Sequence, residues 1–133
     1  MKKRIFSMIM AALMLFTFNI GAYAEGTVQP RYNYTVSVTP SLSITSSQAK
    51  CSVVITGNTN VTRIKVKIIL QEKGLLNWNN ITTWTDEVNS NRLSTSYHYG
   101  PVDSGKYRVK VEATVYAGTS SESVSATSST VTV

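Results

Sequence analysis

A period of two runs through this chain. Across residues 62–72, Ile64, Val66, Ile68 and Leu70 alternate with Arg63, Lys65, Lys67 and Gln71. Across residues 103–117, Tyr107, Val109, Val111, Ala113 and Val115 alternate with Arg108, Lys110, Glu112, Thr114 and Tyr116. Successive side chains on a strand point to opposite faces, so each run has one apolar face and one wet face. A helix would need its apolar residues every 3.6 positions, and beyond residue 31 no window of helical length has that spacing. Such a chain must bury sheet faces against one another.

Shorter runs fill the remainder. Residues 34–38 and 42–44 read as a first strand interrupted at Pro40, a residue tolerated at an edge but not in a central ladder. Residues 49–57 follow, closed by the turn sequence GNTN, and then come 62–72, 77–86, 93–99, 106–117 and 122–133. In residues 93–99, Leu93, Tyr97 and Tyr99 are expected to face inward. In the last run Val124 and Ala126 have one parity and Val131 and Val133 the other, which predicts a bulge or bend near Ser128-Ser129. Short strands at this spacing predict a single seven-stranded antiparallel Greek-key β-sandwich, with a small closed barrel as the rival.

The N-terminus carries a different signal. Lys2, Lys3 and Arg4 precede an apolar segment, residues 5–20, and Ala22-Tyr23-Ala24 follows before the first acid, Glu25. This is the three-part pattern of a secretory signal helix, too short to span a bilayer, with cleavage expected after Ala24. The expected division is residues 1–24 as signal peptide, 25–31 as flexible leader and 32–133 as the sandwich domain. The product would be secreted, with no membrane span after cleavage. Three of the 13 Lys and Arg residues would leave with the leader and all seven acids would stay, giving a mature charge of +3. A charge that small does not point to nucleic acid. The single cysteine, Cys51, excludes an intramolecular disulfide. Its alternation with polar neighbours reads as burial in a strand, the other reading being a bridge between two chains.

Most catalytic chemistry lacks its parts. His98, the only histidine, lies on the face opposite Tyr97 and Tyr99 and reads as a solvated strand residue. One His and one Cys fall short of a zinc site, and no D-x-D-x-D loop offers calcium ligands, so no metal and no cofactor is expected. Asp86-Glu87, the adjacent carboxylate pair, reads as part of a turn. No Gly-rich loop precedes a helix to hold phosphate. N-x-T triplets at Asn33, Asn60 and Asn80 read as products of an Asn- and Thr-rich composition. An enzyme is not expected.

The stretch DSGKYRV, residues 103–109, resembles the D-x-G-x-Y-x-C entry to strand F of immunoglobulin-like domains, a group that includes the fibronectin III-like sandwiches. The resemblance implies that Asp103, Gly105 and Tyr107 form a corner in which the tyrosine hydroxyl bonds back to upstream backbone. It also implies that Cys51 occupies the strand B cysteine position and Val109 that of its partner. The chain departs from the pattern in lacking the bridge and in having Ile64 and Val66 where a strand C tryptophan would stand. More broadly, the leader, the Ser/Thr-rich strands and the ending GKYRVKVEATVYAG…SSTVTV resemble an uncharacterised family of small secreted Gram-positive bacterial proteins. That resemblance implies a compact β domain and carries no catalytic motif.

In an immunoglobulin-like sandwich strands C and F are neighbours. Their outer faces would then bring Arg63, Lys65 and Lys67 beside Arg108 and Lys110. Like charges opposite one another destabilise a sheet, so this cluster either invites an anionic partner or staggers itself around Glu112. Exposed lysines also protect sheets from aggregation, which is the plainer role. Trp78 and Trp84, six residues apart, would share a face of an unbroken strand with Asn80 and Thr82 between them, a possible platform for sugar rings. The expected function is that of a secreted, non-enzymatic binding module contacting anionic glycans or cell-envelope polymers. A secreted antagonist of neighbouring cells is the alternative.

Overall fold

The computed structural model describes residues 32–133, so the signal peptide and leader expected over residues 1–24 and 25–31 lie outside the described residues. Eight strands follow in order: β1 (Thr35–Thr45), β2 (Gln48–Gly57), β3 (Arg63–Lys73), β4 (Trp78–Val88), β5 (Arg92–Tyr99), β6 (Lys106–Ala117), β7 (Ser120–Thr127) and β8 (Val131–Thr132). They form two antiparallel sheets, one ordered β1-β2-β5 and the other β4-β3-β6-β7, with β8 also paired to β6. The sheets join their apolar faces as a β-sandwich. The core is drawn mainly from the strands with a neighbour on each side: Cys51, Val53 and Ile55 of β2, Ile64, Ile68 and Leu70 of β3, and Val109, Val111 and Val115 of β6 are fully buried. Burying one such aliphatic side chain contributes about 1.5–3 kcal/mol; β2 and β6 alternate throughout, while β3 alternates only as far as Ile68, beyond which Ile69 and Gln71 are buried as well.

The edges depart from expectation in informative ways. β1 runs unbroken through Pro40, which pairs with Val53. As an edge strand β1 has a free side on which a missing N–H costs no ladder bond. Thr45 and Gln48 close a two-residue turn in which Ser46 and Ser47 both have positive φ, 50° and 63°, the sign that matches the twist of a tight hairpin. Tyr99, the last residue of β5, is 37% exposed although it pairs with the fully buried Ala49 and so shares the inward face with Tyr97. Asp86 and Glu87 lie within β4, not in a turn.

The final run splits into β7 and β8, so there are eight strands rather than seven. Ser128 sits at the break. Its hydroxyl accepts from the Val109 N–H at 2.8 Å, and its own N–H donates to the Val109 carbonyl at 2.8 Å. The bend therefore satisfies β6 while shifting the register by one, and β8 resumes against Lys106 and Tyr107.

Candidate binding face

The β3–β6 pairing sets the outer face of the larger sheet. Its register places Lys65 beside Thr114, Lys67 beside Glu112, Ile69 beside Lys110 and Gln71 beside Arg108. With β4 and β7 added, each pair extends into a cross-strand row: Glu87, Lys65, Thr114, Ser123, then Thr85, Lys67, Glu112, Ser125. Apart from Glu87, the residues of these two rows line an open depression of about 500 Å³. Its lining combines the hydroxyls of Thr85, Thr114, Ser123 and Ser125 with the carboxylates of Asp86 and Glu112, and Lys65 and Lys67 stand exposed within it.

Arg63, Lys65, Lys67, Arg108 and Lys110 thus lie on one face, but not as a cluster of like charges. Glu112 takes Lys110 at 3.5 Å and faces Lys67 in register, and Arg63 meets Glu87 at 3.7 Å. The two arginines lie at opposite ends of β6's outer face. Arg63 covers the Tyr116 ring at 4.0 Å, and Arg108 covers Trp78 at 4.2 Å. Gln71 fixes Arg108 by accepting from its Nε at 2.8 Å, and is itself oriented by donating to Asn80 Oδ1 at 2.8 Å. Stacking on an aromatic leaves a guanidinium charged while shielding one of its faces. Lys65 and Lys67 have no carboxylate within ion-pair distance among the described residues.

The two tryptophans do not form a platform. In the β3–β4 pairing Leu70 faces Thr82 while Gln71 faces Asn80, so Ile81 is an extra residue and the strand changes face there. Trp78 lies outward beneath Arg108. Trp84 turns toward the core and stacks on Tyr97 of β5, ring centroids 5.2 Å apart and planes 8° from parallel. That stack links the edges of the two sheets.

Tyr107 is buried, with its hydroxyl 2.8 Å from the Asp103 carbonyl and 3.1 Å from Glu72 Oε2. Burial, then the Glu72 hydrogen bond and the charges of Glu72 and Asp103, raise its pKa above the usual tyrosine value. A Cβ on Gly105, two residues after Asp103, would lie 2.9 Å from Glu72 Oε2, the far end of a flexible side chain. Cys51 is fully buried, and desolvation pushes its thiol up to about 11. Cys51 pairs with Tyr97 and His98 with Lys50, so the two residues point to opposite faces of their sheet.

Glu122 was not anticipated. It lies on the inward side of β7 opposite Val115 and accepts from the backbone N–H groups of Asn33, Tyr34 and Thr35 at 2.8, 3.0 and 2.8 Å, and from the Thr35 hydroxyl at 2.7 Å. Desolvation pushes its pKa up. The Thr35 hydroxyl and the three N–H groups outweigh this and hold the carboxyl below its ordinary value. Its donors are mostly backbone, so no pattern of residue types marks them.

No protein-family model matches the sequence, and no curated protein matches it. Among solved structures the chain is similar to wild-type OgpA from Akkermansia muciniphila, at 12% identity and a TM-score of 0.41. That alignment covers 74% of this chain and 29% of OgpA, so the chain spans under a third of that protein's length.

Proposed function

We propose that this is an exported, non-enzymatic binding module whose β4-β3-β6-β7 face takes an anionic glycan or cell-envelope polymer. The observation that carries the reading is the depression in which Lys65 and Lys67 stand exposed and outside ion-pair distance of its two carboxylates, Asp86 and Glu112, beside the hydroxyls of Thr85, Thr114, Ser123 and Ser125. Ammonium groups supply attraction to carboxylate or phosphate, and hydroxyls supply short-range hydrogen bonds to polyol groups. The arginine–aromatic stacks at either end extend the same chemistry along an elongated ligand. We read the sandwich itself as immunoglobulin-like, of the fibronectin III-like kind. Supporting this are the Tyr107 bond to Asp103 and the position of β4 beside β3 rather than β5.

The test compares residues 25–133 carrying Lys65→Ser and Lys67→Ser with the unaltered chain on immobilised anionic and neutral glycans. Anionic binding should fall about tenfold and lose its salt dependence, because charge screening shortens from about 10 Å at 0.1 M salt to about 3 Å at 1 M. Equal binding by both chains, or equal retention on neutral glycans, would remove the depression as the site.

A further inference from the structure

The β3–β4 hairpin ends in a tight turn over residues 74–77, closed by the Gly74 N–H donating to the Asn77 carbonyl at 2.7 Å. The turn holds Leu75 and Leu76 clear of the domain, 102% and 87% exposed. Neither belongs to the core cluster, so packing of the sandwich does not account for them. Directly behind the leucines, Lys73 and Trp78 pair across the base of the hairpin, with the Lys73 ammonium 5.6 Å from the ring centroid and the Arg108 guanidinium 4.2 Å from it. Lys106 stands at the same end, one residue beyond the Glu72–Tyr107 pair. Of the acids there, Glu72 is engaged by the Tyr107 hydroxyl and Asp103 is exposed.

Apolar tip, aromatic base and cationic collar follow the layering of a bilayer surface, where acyl chains give way to an interface favoured by Trp and then to phosphates that attract Lys and Arg. We propose that this hairpin tip docks the domain on an anionic lipid bilayer. Leu75 and Leu76 enter the acyl boundary, Trp78 rests at the interface, and Lys73, Lys106 and Arg108 meet the headgroup phosphates. At about 3.3 Å per residue the leucines reach roughly 5–10 Å beyond Trp78, the depth to which interfacial apolar groups are buried. A stable protein partner would need about 800 Å² from this side, more than a four-residue turn presents. A bilayer sets no such minimum, and combining a small apolar wedge with cations is how weak lipid contacts become useful. This inference is independent of the depression and its lysines.

Residues 25–133 contain the whole compact unit Tyr32–Val133 and omit the apolar segment 5–20, which would enter lipid by itself. In sedimentation with vesicles of phosphatidylcholine, alone or mixed equally with phosphatidylglycerol, this chain should bind the anionic mixture. Leu75→Ser with Leu76→Ser should lower the partition constant about tenfold or more, with the thermal midpoint unchanged. Lys73→Ser with Lys106→Ser should remove the preference for the anionic mixture. A Leu75→Cys chain can be labelled selectively with an environment-sensitive fluorophore, because Cys51 is fully buried. Its emission should shift to the blue with anionic vesicles and be quenched by lipid-borne quenchers. No vesicle binding at low salt, equal binding after loss of both leucines, or leucine-dependent self-association in place of vesicle binding would each overturn the proposal.

Discussion

The two ends of the larger sheet are built from the same parts, used differently. At each, an arginine lies over an outward aromatic: Arg108 over Trp78 at one end and Arg63 over Tyr116 at the other. At each, a glutamate fastens the structure, but Glu72 meets a side-chain hydroxyl whereas Glu122 gathers three backbone N–H groups and a hydroxyl. The Tyr107 corner is local, since its closest acceptor is four residues away at Asp103. The Glu122 clasp reaches 89 residues back to Asn33 and fixes where β1 begins. The Asp103 bond closes a short stretch of chain at the entry to β6, while the long-range clasp must wait for both sheets. The clasp is therefore expected to respond more strongly to damage than the corner.

Glu122→Ala is the most direct attempt to break that ranking. It strands three N–H groups and the Thr35 hydroxyl, and should cost about 3 kcal/mol, read from the urea midpoint at neutral pH. The pH dependence carries the same signature. The folded carboxyl has a pKa below its ordinary value, so between the two values the unfolded chain binds the extra proton. The clasp's contribution is present above about pH 4.5 and fades as pH falls through the folded value. The gap between the unaltered chain and Glu122→Ala should narrow over that window. A constant gap down to the lowest pH would show that packing, not charge, is what the substitution removes.

Two glycines sharpen the contrast. Gly57 pairs with Thr35 at the clasp, and a Cβ there would meet Val61 Cγ2 at 2.5 Å and Cβ at 2.8 Å, the branched base of a buried side chain. Gly57→Ala should cost about 2 kcal/mol by overpacking. At the corner, a Cβ on Gly105 would meet the far end of the flexible Glu72 side chain, which can swing aside. Gly105→Ala should cost less than about 0.5 kcal/mol. Equal losses in thermal midpoint would mean that the corner is as rigid as the clasp.

The same division separates what the sequence revealed from what it hid. β2, β3 and β6 were legible because central strands must present a buried face, and the corner was legible because D-x-G-x-Y is a local pattern. The clasp was not, because Glu122 sits in SSESVSAT among residues that read as solvated, and its donors are peptide groups common to every sequence. Trp78 and Trp84 were misassigned by the one extra residue at Ile81, since nothing in NNITTW marks a bulge. The basic face could be read as a face. Glu112 could be named as its counter-charge from alternation, but the part of Glu87 needed the register, which alternation alone does not supply.

The corner can also be tested from the alkaline side. Tyr107→Phe keeps the buried ring and removes only the hydroxyl, whose nearest acceptor is the carbonyl of the exposed Asp103 and can turn to water. The expected cost is about 1 kcal/mol at neutral pH. Burial and then Glu72 raise the folded pKa above the unfolded value, so the stabilising contribution is complete below about pH 10 and is lost as pH rises through the folded value. The phenylalanine chain should lose that part of the alkaline decline. A residual decline should persist, because the Cys51 thiol, pushed up to about 11 by burial, obeys the same sign from a lower starting point. Urea midpoints for both chains from about pH 8 to about pH 12 separate the two groups, since Tyr107 titrates above Cys51 in the unfolded state. If Tyr107→Phe leaves the whole decline in place, neither burial nor Glu72 raises the hydroxyl's pKa on folding, and the alkaline decline belongs to other groups.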